Sequence, residues 1–258
     1  MISRLFADRR RLAVLRRIDR PAAAALAIVQ AVVAAVGWFA APVWLAVAIA
    51  GQLALGGLAA IYVIGPARAD LGLARYAMPS LAGIAATLFG RLIPGGLSLL
   101  LVPIVAVLLW SITYLELRIE RGTGGRTIGE LLLTIIVFTS AAGVLVLFGP
   151  QVWPTPLALV AILAVPVALR SAEARGTMGA EAVGQGLLHV LAVIQVGAAA
   201  ILLNLPISVM AALMALAFYA WGGAVDALRG EASGRSVAVE FGSLMLLGLV
   251  VGLLVHRG

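Results

Sequence analysis

The chain has 258 residues, of which 63% are hydrophobic and 11% charged, with a mean hydropathy of +1.14. A soluble domain is apolar over nearer about half its residues, so this composition excludes an ordinary water-soluble fold and belongs in a bilayer. The balance of 18 basic to 11 acidic residues would suggest nucleic acid in a soluble protein. Here the basic residues sit in short loops between apolar runs and read as topology signals, so no nucleic-acid partner is expected.

Every basic residue is Arg, and Ala, Gly, Leu and Val dominate, which points to a GC-rich bacterial genome and an inner-membrane location. The absence of Cys excludes disulfides, thiolate metal sites and Cys nucleophiles.

Residues 1–20 carry seven Arg whose apolar neighbours do not share a helical face, so they read as a basic cytoplasmic tail. Residues 21–258 read as one transmembrane helical domain. The run from Ala22 to Ala40 exceeds the 7–15 apolar residues typical of a signal peptide and predicts an uncleaved first span. A spanning helix needs about 20 apolar residues. Nine segments qualify: 21–40, 43–64, 78–94, 96–117, 127–148, 153–169, 181–203, 206–227 and 238–256.

The third segment is the weakest, because Pro79, Gly90, Arg91 and Pro94 interrupt it, and without it the count is eight. Crossing there keeps Arg118, Arg121 and Arg126 inside and the uncharged loop from Gly149 to Pro156 outside. The expected architecture is thus an all-α polytopic bundle of eight to nine spans. With the N-terminus cytoplasmic and nine spans, the tail and inner loops hold every Arg except Arg91 and Arg257, as the positive-inside rule requires, and the C-terminus is extracytoplasmic.

One junction recurs. Leu117-Arg118, Leu169-Arg170 and Leu228-Arg229 each end a predicted helix, and each is followed by a Gly-containing loop and then Glu130, Glu181 or Glu240. An Arg at a helix C-terminus and a Glu in a first turn both complement the macrodipole, which is the preferred reading. The functional reading has the three Glu, with Arg118, Arg170 and Arg229, forming a cytoplasmic vestibule for a cation or amine.

The predicted helix 181–203 carries the chemically richest face. Glu181, Gln185, His189 and Gln195 fall within an arc of roughly 120° at 100° per residue. They are candidates for a polar path or a partner contact. Ionisable groups at that depth are functional candidates, while interhelical hydrogen bonding is the plainer role of His189 and Gln195. Arg91 near the outer end of the third span is a candidate anion or lipid contact, with snorkelling preferred.

No zinc-protease, nucleophile-elbow, P-loop or repeated-carboxylate motif is present, and of the only two His residues His256 stands almost at the C-terminus, which does not suit a bis-His haem site inside the membrane, so no catalytic residue, metal or cofactor is predicted. The leading expectation is a non-enzymatic membrane subunit or scaffold whose partners are the lipid bilayer and other membrane subunits or a second copy. The alternatives are a small-solute or ion transporter using the 181–203 face, and a membrane enzyme acting on lipid-linked substrates at the cytoplasmic face.

Overall fold

The computed structural model describes residues 2–64, 74–93, 95–120, 126–149 and 154–257. Within them the chain is helical, with no strand: α1 (Ile2–Phe39), α2 (Pro42–Ile64), α3 (Met78–Phe89), α4 (Val102–Glu120), α5 (Arg126–Phe148), α6 (Thr155–Ala174), α7 (Gly179–Leu202), α8 (Ile207–Arg229) and α9 (Gly234–Arg257). Short 3-10 turns at Ala74–Ala77, Gly90–Leu92 and Gly95–Leu101 bracket α3 and lead into α4.

Seven helical stretches are long and apolar enough to cross a membrane: Pro21–Phe39, Gly96–Glu116, Ile128–Phe148, Thr155–Ala174, Gly179–Leu202, Ile207–Arg229 and Gly234–Leu254. α2 adds a shorter apolar stretch, Val43–Gly57. Their outer faces carry large exposed apolar side chains such as Val43, Leu100, Ile162, Leu202 and Leu254. Exposure of that kind suits lipid rather than water as the surrounding solvent. The chain is a multi-pass, all-helical membrane protein.

Two expected boundaries come out differently. The basic segment before Pro21 has a helical backbone continuous with the first span, so α1 runs through the junction without a break. The third segment contains only twelve α-helical residues, about 18 Å of rise. A Pro near its start supplies the fixed φ that suits a first turn, and the 3-10 turn at Gly90–Leu92 ends it.

α3 is the hub. All its residues but Ala86 and Phe89 are buried, and it touches α1, α2, α4, α5 and α6. Polar side chains pin it: Gln30 donates to the Pro79 carbonyl at 2.9 Å and the Trp38 indole to the Ala86 carbonyl at 3.0 Å. The Trp38 indole packs against Gly90, where a Cβ would run into it. Trp38 is thus buried against α3, whereas Trp44 at the start of α2 is exposed.

The turns after α6, α7 and α8 share one geometry. Gly176, Asn204 and Glu231 adopt positive φ (81°, 52° and 66°). In each, two backbone N–H groups reach back into the last turn, as Gly176 to Glu173 and Thr177 to Ala172 do after α6. These are Schellman caps, which satisfy carbonyls that a helix end leaves without partners. Short turns keep consecutive helices antiparallel and adjacent, so α6, α7, α8 and α9 pack in sequence. Gly248 and Gly252 face α8, where a Cβ would press on Leu216 and Val209, so this small-residue pair serves packing within the chain.

Candidate functional site

The ends of α4, α6 and α8 and the starts of α5 and α7 meet at one end of the bundle, and there the charged side chains gather. Arg170 on α6 grips Glu116 on α4: Nε lies 3.0 and 2.9 Å from the two carboxylate oxygens, and Nη2 lies 2.6 Å from Oε2. Both side chains are buried. Inside a low-dielectric bundle a lone charge would be costly, and the two-pronged pairing offsets that cost for both.

Arg175, one turn further along, joins three elements. Its Nη2 is 2.9 Å from Glu130 on α5, its Nε 3.1 Å from Asp226 on α8, and its Nη1 donates to Ser171. Ser171 in turn bonds the Glu130 carboxylate at 3.2 to 3.3 Å. Arg229 caps the end of α6 by donating to the Arg175 carbonyl at 2.9 Å, and also donates to Thr177 at 2.7 Å and Gln185 at 3.1 Å. On the side toward α3, the Ala74 N–H reaches Glu173 Oε1 at 3.5 Å, and Arg75 donates to the Tyr76 hydroxyl at 2.8 Å.

The expected stripe on α7 is distributed over three environments. Glu181 and Gln185 stay together at the surface, Gln185 donating to Glu181 at 3.1 Å, and Glu181 lies 3.9 Å from Arg229. His189 is buried, its ring stacked 4.1 Å from the Phe218 ring and its Nε2 2.8 Å from the Phe218 carbonyl. A carbonyl only accepts, so Nε2 carries the proton. Gln195 is exposed.

The vestibule candidates separate similarly. Glu130 belongs to the Arg175 cluster, Arg170 pairs with Glu116, Arg229 with the α6–α7 turn, and Glu240 is exposed on α9. The Arg118 side chain lies outside the described residues. At the opposite end of the bundle, Arg91 donates to the Gly37 and Ala40 carbonyls, both at 2.8 Å, and so caps the end of α1.

A concave feature that left no signal in the sequence lies beside α3. A cavity of about 780 Å³ runs along α3. Its floor is Ser80, Leu81, Ile84 and Leu88 of α3, one wall is Ile49, Leu53 and Gly57 of α2, and the other is Leu159, Ile162, Leu163 and Pro166 of α6. Val144 and Phe148 close the far end, while Tyr76 and Ala77 stand at the end nearer the charges. The floor is buried, Ile84 being 3% exposed, whereas Leu53 and Ile162 on the facing rims are 53% and 66% exposed. The cavity is therefore a lateral groove open on the lipid-facing side. A second crevice, of about 50 Å³, lies between α4 and α5 beside Glu116, Glu130 and Arg170.

The groove has the volume of a small-molecule site, typically about 300–1,000 Å³, but almost none of the convergent polar groups that orient a polar ligand. Among the described residues no three His, Asp or Glu side chains cluster closely enough to hold a metal ion. The carboxylates at the charged end mostly face guanidinium groups. Such an arrangement can fix helix ends and can sit beside a lipid headgroup. The chain matches no protein-family model, no curated protein and no solved structure.

Proposed function

We propose that the protein is a non-enzymatic, lipid-binding membrane subunit that takes the hydrocarbon chain of one bilayer lipid into the groove between α2 and α6. The observation that carries this reading is the groove itself: about 780 Å³, lined by apolar side chains, with exposed apolar rims on lipid-facing helices. A water-filled apolar groove in a bilayer is unfavourable, whereas each methylene moved from water to apolar surroundings contributes about 0.8 kcal/mol. Hydrocarbon is the available solvent, so the expected occupant is a lipid tail. In this reading the headgroup lies at the Tyr76 end of the groove, the end nearer the charged side chains.

The Arg distribution supports nine crossings with the N-terminus cytoplasmic and the C-terminus outside, in a bacterial inner membrane. α3, too short to cross alone, completes its passage through the flanking 3-10 turns. In this reading other membrane subunits or a second copy are partners through the lipid-facing helices, and neither a cofactor nor nucleic acid is required.

The test is lipid retention. Purified protein in detergent, washed free of loose lipid, is weighed by native mass spectrometry and its lipid extracted. Wild type should hold one lipid, and Ile84→Trp in the floor or Ile162→Trp on the rim should lose it. Ile162 is exposed, so its replacement leaves the helix packing intact. Equal retention in wild type and the rim variant, or none in wild type, would overturn the proposal.

The Tyr76–Arg75 pair at the groove's end favours a second reading, an enzyme acting on a lipid-linked headgroup at that end. It predicts turnover of an added lipid-linked substrate that Tyr76→Phe abolishes without loss of lipid retention.

A further inference from the structure

On the face of α3 away from the groove, two glutamines from neighbouring helices meet over Gly83. Gln30 is mid-way along the first apolar stretch and Gln52 mid-way along α2, and both are 0% exposed. The Gln52 carboxamide and Gln30 Nε2 crowd the spot where a Cβ of residue 83 would stand, so only glycine leaves them room.

The donors here are nearly used up. Gln52 Nε2 spends both hydrogens, on the Gln30 carbonyl at 2.8 Å and on Thr87 Oγ1 at 3.3 Å. Thr87 donates to the Gly83 carbonyl at 2.7 Å. Gln30 Nε2 donates to the Pro79 carbonyl at 2.9 Å and keeps one hydrogen. The acceptors are in surplus, since Gln30 Oε1 and Gln52 Oε1 are both buried with no hydrogen-bond partner.

Flipping either amide does not help. It would set an amide oxygen against the Pro79 or Gln30 carbonyl, exchanging a bond for a repulsion. A buried amide oxygen left unpaired is costly, and more so where lipid rather than water surrounds the bundle. What the site lacks is one small molecule that donates two hydrogen bonds and accepts one. A hard cation suits it poorly, because an ion such as calcium gathers six to eight oxygens and the two amide hydrogen-bond donors already occupy several of those nearby.

We propose that the Gln30–Gln52 pair over Gly83 is a binding site for a single buried water molecule, which donates to both amide oxygens and accepts the spare Gln30 N–H. Two to four polar partners are what buried waters have. The water joins α1 to α2 over the Gly83 face of α3 and is independent of what occupies the groove.

The experiment is a structure of the full chain at a resolution that shows single waters, with parallel crystals soaked in thallium(I). The expected result is a peak within hydrogen-bond distance of Gln30 Oε1 and Gln52 Oε1, unchanged by thallium and absent in Gln52→Met. If Gln52→Met does not fold, Gln30→Met serves the same purpose. An empty site in wild type, or a peak that gains anomalous signal from thallium and so marks a monovalent cation, would overturn the proposal.

Discussion

Arg170 and Glu116 meet across α6 and α4 as a two-pronged ion pair, with the guanidinium Nη2 2.6 Å from Oε2 and both side chains buried. This is the only described ion pair that joins α4 to the helices after it. Removing one member strands the other charge in the bundle. Glu116→Gln should therefore destabilise the protein by about 3–5 kcal/mol, read as a lower midpoint of thermal unfolding in detergent. The double variant Glu116→Leu with Arg170→Met should recover most of that loss, since an apolar pair of similar size has no charge to desolvate. A double variant no better than the single would mean the pair contributes more than its electrostatics.

The two carboxylates on Arg175 should not be equal. The Glu130 side chain is 15% exposed and also bonds Ser171, whereas that of Asp226 is 37% exposed. Solvent screening leaves Asp226→Asn a cost of less than about 1 kcal/mol. Glu130→Gln weakens charged hydrogen bonds in a drier place and should cost about 1.5–3 kcal/mol. The ranking of the two unfolding midpoints checks this, and the reverse order would mean that Asp226 is the anchor.

Composition and periodicity made the membrane class and most helices legible, because a span declares itself locally in its run of apolar residues. Interhelical pairings are not local. The recurrent Leu-Arg junction is visible in the sequence, but not that Arg170 turns to Glu116 and Arg229 to Thr177 and Gln185. The four-residue stripe on α7 follows from the angular spacing of an isolated helix. Which part of that arc faces α8, the α6–α7 turn or lipid depends on how α7 is rotated in the bundle. Gln30 and Gln52 do leave a signal, a lone amide in the middle of each apolar run, which carries the same weight as Gln185. The groove left none, since a concave surface arises from a short α3 set back between two longer helices.

Residue 231 offers a simple gain. Glu231 holds the left-handed position of the cap after α8, where φ is 66° and a side chain crowds the backbone. Gly176 serves the same position after α6 at no such cost. Glu231→Gly should raise stability by about 1 kcal/mol, and Gly176→Ala should lower it by about the same. Thermal melts of both variants check the pair, and a destabilised Glu231→Gly would mean that its carboxylate has a role of its own.

His189 separates the packing and transport readings of α7. Its bond to the Phe218 carbonyl and its stacking on the Phe218 ring are worth roughly 1 kcal/mol each, so His189→Ala should lower stability by about 2 kcal/mol. Because the groove lies along α3, on the far side of α6, lipid retention should be unchanged in this variant. Ile162→Trp should show the opposite pattern, with an unchanged melt and a lost lipid. The same His189→Ala protein in sealed vesicles provides the decisive comparison. If wild-type vesicles accumulate a solute in response to a pH gradient and the variant's do not, at a temperature where both are folded, His189 works as a proton carrier and the lipid-binding reading gives way to transport. Identical behaviour of the two in that assay leaves the ring as the joint between α7 and α8.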